Sequence, residues 1–118
     1  MVIKTTKIDA VTFTGKSGTQ YAFRIYIWDT KFKALPGVYV VASRSIEPGE
    51  APHYQALFVG TAADLSKVLK NHPRSDCFQM YLANVVGMLK ETDEKARERI
   101  SADLIEGLAP PCNAPDAE

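Results

Sequence analysis

The chain is poor in the residues that build small-domain staples and metal sites: two cysteines and two histidines in 118 residues. Cys77 and Cys112 alone do not make the disulfide framework of a small secreted domain, so two reduced, buried thiols are expected. With His53 and His72 they supply zinc-type ligands, but their spacing matches no compact motif with two ligands on one tight turn, which argues against a zinc site. Long apolar runs are lacking too. Val38–Ala42 falls far short of the roughly 20 residues that cross a bilayer. Met1–Lys4 leads straight into polar sequence without the pattern of a signal peptide. A cytoplasmic location with no membrane contact is the expectation. Nor is there an excess of charge of one sign: 14 basic residues face 14 acidic ones. A generic nucleic-acid binder driven by counterion release is usually basic. No internal repeat or low-complexity segment is visible.

What is present is a charge gradient and a clear change of hydrophobic period. Residues 1–33 carry six basic groups (Lys4, Lys7, Lys16, Arg24, Lys31, Lys33) against Asp9 and Asp29, a net of +4. Residues 90–118 carry four basic and eight acidic groups, a net of −4. The length predicts a single domain over residues 1–113, with a small acidic tail at 114–118 that frays. Val11–Thr14 is β-branched and aromatic, and Tyr21, Phe23, Ile25 and Ile27 alternate with Ala22, Arg24, Tyr26 and Trp28. Gly15-Lys16-Ser17-Gly18 between them tolerates positive φ, so residues 1–33 read as a β-hairpin.

Gly37–Ala42 and Tyr54–Val59 are two further strand candidates, joined across Pro48, Gly49 and Pro52 by a loop. Leu65, Val68, Leu69 and His72 then follow the i, i+3, i+4, i+7 spacing of one helical face. Thr61 can cap this helix, Asp64 stands three residues on, and Pro73 closes it, which predicts a helix over about 62–71. Asn84–Leu89 reads as a buried strand. A last helix over about 93–106 has Thr92 as cap, an Ala96, Ile100, Leu104 stripe, Gly107 at its C-terminal end and Pro110-Pro111 as a stop. The expected fold is α+β: a small sheet, two or three helices and an added N-terminal hairpin.

The order of these segments resembles the GIY-YIG nuclease superfamily over about residues 35–113. Gly37-Val38-Tyr39 stands for the first signature tripeptide and Phe58-Val59-Gly60 for the second. A helix ending Asn71-His72 follows, then a late helix closing with Asp103-Leu104-Ile105 and Pro111-Cys112-Asn113. The hairpin at 1–33 lies outside this core and looks like the addition found in some small stand-alone bacterial members. The resemblance implies a small antiparallel sheet flanked by helices. It also implies phosphodiester cleavage by two tyrosines, an arginine on the first helix, and a glutamate on the later helix that holds one Mg2+ or Mn2+.

Carried over one residue at a time, the family pattern puts Tyr39 at the first tyrosine and Phe58 at the second. Val68 falls at the arginine, Ser101 at the metal-binding glutamate, Asn113 at the structural asparagine and His72 at a common histidine. A hydroxyl, a guanidinium and a carboxylate are thus missing. A serine hydroxyl is a poor ligand for a hard divalent cation beside a carboxylate. A valine offers nothing to an anionic transition state, where a placed cation contributes about 2–4 kcal/mol. The expectation is a remnant cleft of Tyr39, Phe58, Val68, His72, Ser101 and Asn113, without catalysis and without a bound metal. The domain would act as a binding module for DNA or another nucleic acid, or for a protein. Lys67, Lys70, Arg74, Lys31 and Lys33 would contact nucleic acid, and Tyr21, Tyr26 and Trp28 would offer stacking surfaces. The alternative is an active Mg2+- or Mn2+-dependent endonuclease with a rearranged site built from Tyr39, His72 and Glu98.

Overall fold

Alternating side chains and a four-residue turn commit the N-terminal segment to a hairpin, and the rest of the sheet assembles beside it. The computed structural model describes residues 7–28 and 31–114. Lys4, Asp29 and tail residues 115–118 lie outside them. β1 (Lys7–Thr14) and β2 (Gln20–Ile27) pair antiparallel, with Phe13 opposite Tyr21. β3 (Gly37–Ser45) and β4 (His53–Ala62) form a second antiparallel pair. β5 (Val85–Lys90) pairs with both β2 and β3, giving one five-stranded antiparallel sheet of order β1-β2-β5-β3-β4. The hairpin is therefore continuous with the sheet through β5, where Tyr26 lies opposite Val86 and Arg24 opposite Met88. The sheet curls. Tyr54 Oη on β4 donates to Asp9 Oδ2 on β1 at 2.7 Å, joining the two outermost strands, and Arg44 Nε donates to the same phenol oxygen at 2.9 Å.

Each face of the sheet has its own cover. α2 (Glu94–Leu108) seats Leu104, Ile100, Ile105 and Leu108 on the face carrying Phe13, Phe23, Ile25, Val38, Val40 and Val59. Its N-cap is Asp93, which accepts from Ala96 N–H at 3.2 Å; the expected cap, Thr92, lies one residue earlier. Its C-terminal cap is Ala109, in the left-handed region at φ 46°. Gly107 serves the packing: a Cβ there would come within 2.5 Å of Lys16 N, so its absence lets the β1–β2 turn lie on the helix. Asp103 then ties that turn down. Its carboxylate accepts from Ser17 N–H (2.9 Å), Ser17 Oγ (2.7 Å) and Tyr21 Oη (2.7 Å).

The other face, carrying Tyr39, Val41, Val86 and Met88, is covered by Leu65, Phe78 and Cys112. Here the structure corrects two expectations. Residues 62–71 are not a continuous helix. Thr61 belongs to β4, opposite Val38, and a 3₁₀ turn at Leu65–Lys67 is followed by further turns. Asp64 Oδ1 accepts from both Ser66 N–H and Ser66 Oγ, Leu65 N–H donates to Leu35 O, and Lys67 and Lys70 make i→i−3 bonds. Asp64 thus caps the start of this segment, but the N–H groups that follow bond three residues back, so it stays a series of tight turns and does not run on as an α-helix. Asn71 at φ 48° ends the run. A short helix, α1 (Ser75–Met80), forms instead after Pro73.

The second correction concerns the cysteines. Cys77 on α1 and Cys112 in a 3₁₀ turn at Pro111–Asn113 are joined as a disulfide, with their Cα atoms 5.8 Å apart. A separation of 35 residues gave no sign of this, because only the tertiary fold brings α1 beside the C-terminal turn. Among the described residues, no helix is long and apolar enough to cross a membrane.

Candidate functional site

Strand pairing places Tyr39 on β3 directly opposite Gly60 on β4. A Cβ at Gly60 would lie 2.7 Å from the Tyr39 hydroxyl, so only glycine lets the phenol lie flat across the neighbouring strand. Between Val41 and Ala42 the register shifts, and Leu57 is the extra residue of a β-bulge. That bulge puts Leu57 and Phe58 on the same face as Tyr39. The turns after Lys70 then carry His72 over the strand pair. Tyr39 Oη lies 2.8 Å from His72 Nε2. Phe58 and Phe78 each set a ring centroid 4.8 Å from the imidazole.

The hydrogen bonds assign the tautomer. His72 Nδ1 accepts from Arg74 N–H at 3.0 Å, so the ring proton is on Nε2 and donates to Tyr39 Oη. Burial, followed by the charge of Arg74, lowers the His72 pKa from its usual value and keeps the imidazole neutral. Burial also pushes the Tyr39 phenol up to about 12. Near neutral pH this pair holds no phenolate and no imidazolium. It is a satisfied, apolar-walled unit rather than a poised base.

The other positions of the expected cleft divide. Val68 packs half-buried against the Tyr39 side of the sheet. Asn113 sits on the β4 edge, where Oδ1 accepts from Val59 N–H (2.7 Å) and Nδ2 donates to Val59 O (2.9 Å). Ser101 is not brought to this group. It lies on the buried Arg97, Ser101, Leu104 stripe of α2, against the opposite face of the sheet. Glu98 is exposed on the same helix. These residues do not fit the divalent cation that the nuclease resemblance implies, since the positions expected to converge on it stand on two sides of the sheet. Among the described residues no cluster of three or more His, Cys, Asp or Glu side chains has metal-binding geometry, and the cysteines of the imagined zinc set are consumed in the disulfide.

A second region gathers most of the expected nucleic-acid contacts. Two adjoining concavities, of about 550 and 570 Å³, share Phe32 and Leu65 as a common wall. The first is lined by Arg24, Lys33, Lys90, Tyr26 and Met88, among others, and the second by Lys31, Lys67, Lys70, Trp28 and Leu69. Among the described residues, six cations and three aromatic rings line the pair, and no acidic side chain does. Tyr26 and Phe32 meet edge to face at 5.3 Å, and Trp28 meets Phe78 at 5.9 Å. Lys67 also reaches Asp64 at 4.0 Å in a solvent-exposed pair.

Of the five cations expected to meet nucleic acid, Lys31, Lys33, Lys67 and Lys70 line this groove. Arg74 does not; its Nη2 donates to Ala114 O. Of the three expected stacking rings, Tyr26 and Trp28 line it, while Tyr21 is bound to Asp103. Arg24, Lys90 and Phe32 were missed. Arg24 carried a usable signal, because it shares the strand period of Tyr26 and Trp28. Lys90 reaches the groove only through the β2–β5 pairing. Comparison of the chain with protein-family models, curated proteins and solved structures finds no match in any of the three.

Proposed function

We propose that this chain is a GIY-YIG-like domain that has lost nuclease catalysis and binds nucleic acid through the basic, aromatic-lined groove. The observation that carries the reading is the clustering of six cations on one concave surface, with no carboxylate among the described lining residues, in a chain whose overall charge is zero. Balanced composition gives no general attraction for polyanions, so concentrating cations on one concave surface creates a local positive field where it is useful. Strong binding to a phosphate backbone needs this kind of local clustering rather than a basic average.

Loss of cleavage follows from the chemistry at the tyrosine–histidine pair. A phenol pushed to about 12 does not take a proton from water near pH 7. Phe58 brings a ring without a hydroxyl, and Val68 brings no charge to a developing phosphate anion. Glu98, on the helix that covers the opposite face, does not repair the loss.

The test is a titration with a labelled oligonucleotide mixture containing single and double strands, comparing wild type with a Lys33→Glu, Lys70→Glu double variant. Both lysines are exposed, so the variant should fold normally. Binding by the wild type that falls at least tenfold in the variant, with a shallower salt dependence, supports the reading. Equal binding by the two proteins contradicts it.

A further inference from the structure

We infer that the groove is built for a single strand of nucleic acid, with unstacked bases seated against its aromatic wall and the backbone tracked by its cations. This rests on the nucleic-acid reading above and narrows it to one substrate class. Three observations lead to it.

The first is shape. Each concavity falls within the roughly 300–1,000 Å³ typical of small-ligand sites, the scale of a nucleoside rather than of a double helix. Duplex recognition inserts a protruding helix or strand ribbon into a DNA groove. Here the basic surface is concave, and α2 lies on the other side of the sheet. The second is chemistry. Bases paired inside a duplex hide their faces, whereas Tyr26, Trp28 and Phe32 stand half-buried and line the groove. Base–aromatic stacking beside cations is the general way of holding a strand without reading its sequence. The third is layout. Phe32 belongs to both concavities, with Lys33 on one side and Lys70 on the other, so a chain crossing it meets cations before and after the ring. DNA and RNA strands share this chemistry.

Trp28 is the chain's only tryptophan, so its emission reports on this groove alone. The experiment titrates the whole chain with oligo(dT) and oligo(U) of roughly 12 nucleotides, with a duplex of equal length and with heparin, at about 50 mM salt. Both strands are expected to quench Trp28, and to bind at least tenfold tighter than the duplex. Their log–log salt slope should drop by about 0.7 in Lys33→Gln, the single-strand value for one phosphate contact. Phe32→Leu keeps the apolar wall but removes a ring, and should weaken strand binding about tenfold while leaving heparin binding unchanged. Unequal affinity for oligo(dT) and oligo(U) identifies the preferred sugar. Duplex binding as tight as strand binding, strand binding that leaves Trp28 emission unchanged, or heparin competing as well as a strand overturns this inference but leaves a polyanion-binding groove. No binding of strand or duplex overturns it together with the reading it rests on. Should Phe32→Leu fail to fold, Trp28 quenching and the strand-to-duplex ratio in the wild type decide alone.

Discussion

Tyr39 and His72 are joined by a 2.8 Å hydrogen bond in which the imidazole Nε2–H is the donor, because Nδ1 is already occupied by the Arg74 N–H. The bond is a structural contact that holds the 65–72 turns onto the β3–β4 pair.

Tyr39→Phe removes the acceptor and leaves a buried imidazole N–H without its partner. Unfolding in denaturant should show a loss of about 1–3 kcal/mol, while oligonucleotide affinity stays unchanged, because Tyr39 does not line the basic groove.

His72 also predicts a pH dependence. Burial lowers its folded pKa below the ordinary imidazole value, so the unfolded chain takes up a proton first as the pH falls. Stability from this group is full above about 6.5 and declines as pH drops from there towards the folded value. The melting temperature of the wild type should fall more steeply than that of His72→Gln over that window, so that the gap between them narrows on acidification.

Much of the sheet is written in local periodicity. The alternation from Tyr21 to Trp28 and the β-branched runs at Gly37–Ala42 and Asn84–Leu89 each match an observed strand to within a few residues at the ends. The last helix is equally plain in extent; of its expected Ala96, Ile100, Leu104 stripe, Ile100 and Leu104 pack on the sheet, while Arg97 and Ser101 are buried beside them. What local pattern does not carry is competition between local and distant partners. The spacing of Leu65, Val68, Leu69 and His72 suits a helix and a series of tight turns alike. Asp64 caps the start in either case; the three-back bonds of the Lys67 and Lys70 N–H groups and the positive φ of Asn71 mark the segment as turns. Tyr39, Phe58 and His72 meet as the order of segments suggested, but Ser101 does not, because a helix stripe does not reveal which sheet face it will cover. The groove was legible only in part: Lys31 and Lys33 stand next to Phe32 in sequence, whereas Arg24 and Lys90 converge on it only once β5 inserts between β2 and β3.

The Cys77–Cys112 bond closes a loop whose ends are 35 residues apart, for which chain entropy gives about 3–4 kcal/mol of stabilisation. Reduction with dithiothreitol, or a Cys77→Ser, Cys112→Ser double variant, should lower stability by up to that amount. It should also speed amide exchange at Val59, whose N–H is held by Asn113 in the adjoining turn.

Gly60→Ala places a Cβ against the Tyr39 ring and the Phe58 ring, 2.7–2.8 Å away. Crowding of this kind costs about 1–3 kcal/mol. The cost should shrink when Tyr39→Ala is made in the same chain, since the phenol is then gone; a double-mutant cycle in thermal or chemical unfolding measures the coupling.

Binding without cleavage can be read from a single incubation. A labelled single strand is incubated with the protein in Mg2+ or Mn2+ and split into native and denaturing lanes. Binding without cleavage predicts a retarded band in the native lane and a full-length strand in the denaturing one. Metal-dependent fragments that disappear with Tyr39→Phe, or a strand that is never retarded, would contradict it.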